Sequence, residues 1–377
     1  EIFSRLGFDS HDAGAKLEVT VPTYRRDIEG KADLAEELIR IKGYDHIPTT
    51  LPAGQIPDIV PEPYRHWEQV VRETMVRAGY QEAINYSLVD CETASRLTVD
   101  VGEGAAAVPG EMIPLANPMT PDQACLRTTL LGSLLRTLAS NMRHETRAYM
   151  FEVARVYLPP LQPLPEERRT LGIAFTGPRE PEAWNARPPA GDFFDLKGAV
   201  EAVLTAMGIT GASFEPALHA SMHPGRTAAL TIGGRVAGHV GEIHPTVVER
   251  YDLLPHRVFA AEIDLETLMA AATPERDYEP LPRFPAVNHD IAVVLDSGWP
   301  DAEVEREIAL AGQPLLARVA LFDLYTGSQI APGKKSLAYS LTYRASDRTL
   351  TDSEVASVEE RIIAALAARF DATIRGR

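Results

Sequence analysis

Between Glu1 and Thr50 the apolar positions change period once. Leu17, Val19 and Val21 alternate with polar neighbours, as a half-buried strand requires, and Leu34, Leu38 and Ile41 then recur at helical spacing until Gly43. Pro48, Pro52, Pro57, Pro61 and Pro63 crowd together next, which predicts an extended linker and a domain boundary over residues 51–63. From Tyr64 to Ala78, Trp67, Val71 and Met75 form one face of a helix, and Gly79 stands at its C-cap. A strand, EAINYSLV, is expected directly after it. Leu130, Leu131, Leu134, Leu135, Leu138 and Met142 mark a further amphipathic helix, after which Tyr149, Phe151, Val153 and Tyr157 return to period two. A strand LGIAFTG, a helix from Asp195 to Met207 and a hairpin turning on Gly233 and Gly234 extend this into an α+β segment whose sheet is largely antiparallel.

From about Leu281 the order is strand (DIAVVL), helix (Asp301 to Leu310), strand (RVALFDLY), turn, strand (SLAYSLTYR), helix (Ser353 to Phe370) and strand (ATIR). That is the βαββαβ order of a ferredoxin-like fold. Thr351 and Glu354 have the spacing of a capping box for the last helix. In the third strand Leu337, Tyr339, Leu341 and Tyr343 point one way, and Ser336, Ala338, Ser340, Thr342 and Arg344 the other, so one face is core and the other small, polar and open. The fold class is therefore a multidomain α+β chain, without internal repeats or low-complexity tracts.

A length of 377 residues agrees with two to three domains. Hydrophobic residues at 45% and charged residues at 24% are the balance of a globular protein, and no apolar run reaches the roughly 18 residues of a membrane helix. The opening EIFSRLGF reads as amphipathic helix with no basic n-region, so a secretory signal is not expected, and the chain looks like a fragment. Its two cysteines, Cys91 and Cys125, form no CxxC and are expected to be buried free thiols in a reducing cytosol. The net charge of -16 argues against a surface that grips nucleic acid everywhere. Acidic groups exceed basic ones by 3 over residues 1–50, by 10 over 51–278 and by 3 over 279–377, so any nucleic-acid contact must be local.

Asp33, Glu36 and Glu37 stand at i, i+3 and i+4 on one helical face, with Asp27 in the loop before it. Such an all-oxygen set suits Mg2+, yet acidic residues in a first turn also complement the helix dipole, and Asp33 with Glu36 is a capping pair. His219, His223, His239 and His244 lack a zinc motif, and Pro224 and Gly225 make HPGR a turn beside a strand. Gly233, Gly234, Gly238 and Gly241 match no phosphate-binding loop. Lys334, Lys335, Arg344 and Arg348, with Asp347 among them and Tyr325 and Tyr343 nearby, offer phosphate contacts and stacking for single-stranded RNA; a solvated charged rim is the alternative.

These stretches carry a family resemblance. VPTYRRDIEGKADLAEELIRIKGYDHIP is similar to the magnesium-associated winged domain of bacterial phenylalanyl-tRNA synthetase β subunits. RFPAVNHDIAVVL, LFDLYTG, GKKSLAYSLTY and DRTLTDSEV resemble that subunit's ferredoxin-fold anticodon-binding domain. The segment between, with LANPMTPDQACLRTTLLGSLLRTLASNMRHETRAYMFEVARVY and GHVGEIHP, resembles its class II synthetase-like core. The motifs occur in family order over essentially the whole chain.

The resemblance implies a partial winged-helix-like domain at 1–50, the linker at 51–63, a catalytically inactive core at 64–278 and the anticodon-binding domain at 281–377. It implies a magnesium ion at Asp27, Asp33, Glu36 and Glu37, shared with an α subunit; Lys334, Lys335, Arg344 and Arg348, read from their charge, are the candidate RNA contacts of the last domain. No catalytic residue is expected. VYLPP stands where a working class II enzyme places the arginine that holds ATP, and GHVGEIHP lacks the third-motif arginine, so charge positioned for adenylyl transfer is missing. The implied assembly is a cytoplasmic (αβ)2 heterotetramer. In it, α binds ATP and phenylalanine and charges tRNA(Phe), while β supplies interfaces, with the Tyr64 to Ala78 helix facing α, and tRNA contacts. The third domain departs from the family at Asn288-His289-Asp290, where an arginine commonly precedes the aspartate. Two other readings compete: a free-standing RNA-binding module built from synthetase parts, and an independent metalloenzyme using the acidic or histidine cluster.

Overall fold

The structure, a computed structural model, describes residues 1–54, 62–161, 163–274, 278, 280–327 and 329–375. Pro57 and Pro61 of the expected linker lie outside these. The chain forms two compact units, Glu1–Met207 with Gly211–Ala270, and Gly208–Thr210 with Ala271–Arg377.

The first unit opens with α1 (Ile2–Arg5), an antiparallel ribbon of β1 (Asp9–Asp12) and β2 (Leu17–Thr20), and α2 (Lys31–Lys42). Phe3 and Phe8 are buried edge to face, and Arg25 lies over the Phe8 ring. The ribbon is more exposed than its alternation predicts: two strands alone shelter little, and Leu17 keeps 54% of its surface. Gly43 ends α2, as its position suggests.

The core follows as α3 (Pro63–Arg77), β3 (Gln81–Glu82), β4 (Leu88–Val89), α4 (Thr93–Leu97), β5 (Ile113–Pro114), β6 (Cys125–Leu126), α5 (Leu131–Asn141), β7 (Ala148–Leu158), β8 (Glu166–Thr176), α6 (Phe193–Ala206), β9 (Ser213–Pro216), β10 (Met222–Ile232), β11 (Arg235–Ile243), α7 (Pro245–Arg250), β12 (Phe259–Asp264) and α8 (Leu265–Ala271). A seven-stranded sheet runs β3-β7-β8-β12-β11-β10-β9, antiparallel except where β3 meets β7. Gly233 and Gly234 both take positive φ at the β10–β11 turn, the backbone that a tight hairpin asks of glycine. Pro63 starts α3, and the Asp192 side chain accepts from the Phe194 and Asp195 amides to start α6.

Leu131, Leu134, Leu135 and Leu138 bury the apolar stripe of α5 against one sheet face. The approach is close: a Cβ on Gly172 of β8 would stand 2.6 Å from Leu134 Cδ1, so only glycine fits. On the opposite face Tyr80, beyond the end of α3, meets the stacked rings of Tyr149 and Phe175, and Phe259 continues the stack.

Two expectations are corrected here. EAINYSLV does not form one strand: Asn85 turns its amide and side chain to the Glu152 carboxylate at the break between β3, which pairs with β7, and β4, which pairs with β6 in a separate three-stranded sheet. Cys91 and Cys125 are not free thiols but a disulfide, 34 residues apart with a Cα separation of 5.3 Å. Val89 pairs with Cys125 across β4 and β6, which carries Cys91 to the edge of β6. Cys91 is exposed and only Cys125 buried, so the free-thiol argument for a reducing compartment falls.

The second unit holds β13 (Val287–Asp296), α9 (Asp301–Ala311), β14 (Leu316–Tyr325), β15 (Lys334–Tyr343), α10 (Asp352–Phe370) and β16 (Thr373–Ile374), with sheet order β14-β15-β13-β16. This is the ferredoxin-like arrangement expected. Leu337, Tyr339, Leu341 and Tyr343 are buried against Val355, Val358, Ile362 and Leu366 of α10. The Thr351 and Glu354 capping box is formed. No helix among the described residues is long and apolar enough to cross a membrane.

Candidate functional site

The acidic group at α2 is already occupied by the chain's own donors. Asp33 accepts from the Glu29 and Gly30 amides at 2.9 and 2.8 Å, which is its work as a helix cap. Arg25 reaches Asp27 at 2.6 Å and Glu37 at 2.9 Å, and Arg40 also takes Glu37. These guanidiniums hold the Asp27 and Glu37 carboxyls below their ordinary values, Arg25 being the larger cause for both. Glu36 is exposed. Among the described residues no three His, Cys, Asp or Glu side chains gather as a metal-holding group. The four carboxylates therefore do not converge as expected, and in this arrangement they do not fit a magnesium ion: Arg25 stands between Asp27 and Glu37 where a cation would. Neither Arg25 nor Arg40 was singled out from sequence, although the basic pair before Asp27 and the i, i+3 spacing of Glu37 and Arg40 are visible there.

The histidines form no metal group either. His219 and His239 pack ring to ring at 4.9 Å, and burial first, then His239, pushes His219 down to about 4. His223 lies within β10 and accepts from the Gly225 amide, and His244 caps α7 through the Thr246 amide.

Across the core sheet, Glu152 of β7, Gly172 of β8, Glu262 of β12 and His239 of β11 stand in one row and share a face. Both carboxylates hold the segment leading into α5. Glu152 accepts from Arg127 Nη1 at 2.8 Å, with both side chains almost fully buried. Glu262 accepts from the Leu130 amide at 2.6 Å and the Thr129 hydroxyl at 2.7 Å. Burial drives the Glu262 carboxyl up, against those two donors. Sequence reading passed over all three residues, yet Arg127, Glu152 and Glu262 each interrupt apolar stretches.

The outer half of the β7–β8 pair carries arginines, each matched by a carboxylate. Arg155 pairs with Glu167 at 2.6 Å, Arg168 with Glu166 and Asp264 at 2.6 and 2.8 Å, and Arg169 with Glu266 at 2.8 Å. Arg169 also lies 3.8 Å over the Tyr64 ring of α3. Helices cover the sheet on both faces, α5 on one and α3 with α6 on the other.

In the second unit the four basic candidates do not form one patch. Lys334 opens β15 and Arg344 follows its end, roughly 30 Å away at the rise of a strand. Both share the strand face of Ser336, Ala338, Ser340 and Thr342, which is less open than expected: Ser336 is buried and the other three are half-buried. Lys335 falls on the core side and donates to the Trp299 carbonyl at 2.5 Å. Arg348 is engaged by Asp347 and Glu354 at 2.9 and 2.7 Å. Tyr343 is core, which removes it as a stacking platform, whereas Tyr325 lies under Arg375. At the departure from the family pattern, His289 pairs with Glu359 at 2.6 Å and Asn288 accepts from Thr342.

Three family models match successive parts of the chain. They are the tRNA synthetase B5 domain over residues 1–44, the phenylalanyl tRNA synthetase beta chain CLM domain over 47–265 and the ferredoxin-fold anticodon binding domain over 282–375. The chain is 41% identical over 354 residues to a phenylalanine--tRNA ligase beta subunit of Symbiobacterium thermophilum, covering 93% of this chain and 39% of that protein. It is 37% identical to that of Geobacillus kaustophilus and 38% to that of Moorella thermoacetica, each over 100% of this chain and 46% of the relative. The chain thus spans less than half the length of these curated relatives.

Proposed function

The chain belongs to the phenylalanyl-tRNA synthetase β-chain family, and from that premise we propose that it acts as a noncatalytic β-subunit part of a phenylalanine--tRNA ligase. A catalytic α subunit binds ATP and phenylalanine and charges tRNA(Phe), in an (αβ)2 assembly, and this chain supplies interface and tRNA contacts. The observation that carries the noncatalytic part is the core sheet. Both faces are covered by helices, and the arginines along β7 and β8 are spent on carboxylates, so none of them is free to hold a triphosphate.

An interface at α3 and β3 is supported by exposure. β3 is an edge strand, and Ile84 and Tyr86 beyond it stand 91% and 77% exposed, an apolar surface suited to a partner. RNA contact by the second unit is proposed at Lys334 and Arg344, at the two ends of its half-buried polar face, with Lys335 and Arg348 joining only by exchanging their present partners. Magnesium enters as an ion of the assembled enzyme; at Asp27, Asp33, Glu36 and Glu37 it requires Arg25 to move aside. A cytoplasmic location follows from this role rather than from the cysteines.

Co-expression with α tests the proposal. The complex should make Phe-tRNA, whereas the chain alone should not, and removal of residues 281–377 should reduce charging. A complex that charges tRNA equally well without them overturns the anticodon-binding assignment. Stable monomers that bind tRNA without α would favour the free-standing RNA-binding module.

A further inference from the structure

The core unit carries a second concentration of cations that the proposed role does not assign. Arg136, Ser140 and Arg143 lie at i, i+4 and i+7 along and just past α5, on one side of it. Facing them are Arg96 of α4 and Arg250 and Tyr251 at the end of α7, and the walls enclose a cavity of about 340 Å³.

Part of this is ordinary architecture. Arg250 Nη1 donates to the carbonyls of Thr98, Arg96 and Ser95 at 2.9, 3.1 and 3.3 Å, which ties α7 to the end of α4. Asp90 accepts from Arg136 at 2.6 Å and also pairs with Arg96. Even with Arg250 given to those carbonyls, Arg96, Arg136 and Arg143 outnumber Asp90 and Asp252, in a chain whose net charge is -16. One further feature points outward to a ligand, while Arg96 is turned inward, paired with Asp90 and with its Nε buried. Arg143 is exposed at the rim and has no ion-pair partner among the described residues.

We infer that this cavity binds a phosphate of an RNA backbone, with the Arg143 guanidinium as the contacting group and Arg136, held by Asp90, as a second positive charge beside it. Guanidinium forks match phosphate oxygens two at a time, and exposed arginines at a rim suit a polyanion that slides past rather than a molecule that is swallowed. The lining offers nothing to read a base. Tyr251 is its aromatic residue, and burial pushes that hydroxyl up to about 12. The contact therefore positions RNA without sequence preference. It rests on the reading of the chain as a tRNA-binding β subunit.

The test is tRNA binding by the α-containing complex carrying Arg143→Gln, measured as a function of salt. One lost phosphate contact should weaken binding several-fold at low salt and lower the slope of log K against log salt by about 0.7 to 0.9. Arg143→Lys should keep the slope, and the exposed site should leave the melting temperature of both variants unchanged. An unchanged affinity and slope in Arg143→Gln overturn the inference while leaving the tRNA-binding reading intact; a wild-type complex that binds no tRNA overturns both. Inorganic phosphate is the second probe. If it protects the wild type but not Arg143→Gln against heat, while tRNA affinity is the same in both, the cavity serves free anions and the RNA assignment is wrong. Weakened assembly with α at unchanged tRNA affinity per complex would likewise overturn it, in favour of an acidic protein partner.

Discussion

Replacing Glu152 by Ala strips the partner from a guanidinium that has little water to turn to. The Arg127 and Glu152 side chains are 2% and 3% exposed, and the carboxylate accepts from Arg127 Nη1, Asn85 Nδ2 and the Asn85 amide at 2.8, 2.7 and 3.3 Å. Breaking a buried pair from one side costs about 3 to 5 kcal/mol, because the surviving charge stays desolvated. Two features place this site at the low end of that range. Arg127 Nε keeps its bond to the Arg155 carbonyl at 3.1 Å, and both residues border a cavity of about 310 Å³ that water can enter. A cost of about 3 kcal/mol lowers the melting temperature of a domain of this size by about 6 to 12 °C. Scanning calorimetry of wild type and Glu152→Ala reads it directly. Replacing both partners, Arg127→Met with Glu152→Leu, should recover most of the loss, since a buried pair roughly balances its own desolvation. A single-variant cost below about 1 kcal/mol, or a double variant as unstable as the two singles summed, would refute the view that this pair is buried and coupled.

Four further outcomes follow from the same geometry. Because burial raises the Glu262 carboxyl, the folded chain keeps a proton that the unfolded chain releases near pH 4.5, so stability falls as pH rises from there through the raised value. The urea midpoint of Glu262→Gln relative to wild type should therefore grow over that range; a constant difference would contradict it. His219 titrates the other way. Its imidazole is held down to about 4 against an ordinary 6.5, so its contribution is complete above pH 6.5 and fades as pH falls toward 4, a slope that His219→Gln should flatten in acid denaturation curves. Thr351→Ala opens the capping box of α10 and should cost about 1 kcal/mol, seen as earlier loss of helical circular dichroism on heating. The Cys91–Cys125 bond closes a 34-residue span, worth about 3 to 4 kcal/mol in loop entropy. Thiol titration of the unfolded, unreduced protein should find neither cysteine, and reduction should lower the melting temperature.

Regular elements with a strong apolar period were legible before any coordinates. The α5 stripe at Leu131, Leu134, Leu135 and Leu138 and the alternation from Leu337 to Tyr343 each match the burial observed. What resisted reading was set by single polar contacts between distant residues. Asn85 sits in an apolar run that looks like strand, and only the approach of Glu152 from 67 residues away shows why the strand breaks. The cysteine pair depends in the same way on the pairing of β4 with β6, which two-residue strands barely signal. At the acidic cluster, spacing put Asp33 in the first turn of α2 but paired it with Glu36, whereas it reaches back to the Glu29 and Gly30 amides, and spacing said nothing of Arg25, which comes in from the preceding loop.

The distribution of arginines joins these observations into a functional argument. A catalytic sheet needs guanidiniums held apart from carboxylates until a triphosphate arrives, because a paired arginine must lose one partner to gain another. Along β7, β8 and the segment before α5 the opposite holds: Arg155, Arg168, Arg169 and Arg127 each meet a carboxylate within 2.8 Å. Arg127 with Glu152 is a buried strut, Arg155 and Arg168 form half-exposed surface pairs, and Glu152 and Glu262 use the sheet face to anchor α5. Arginine with capacity to spare is found at the rim by α5 and α7 instead, at Arg143. In a chain carrying a net charge of -16, an exposed cation at that rim attracts a polyanion locally, which is the property that the inferred RNA contact uses.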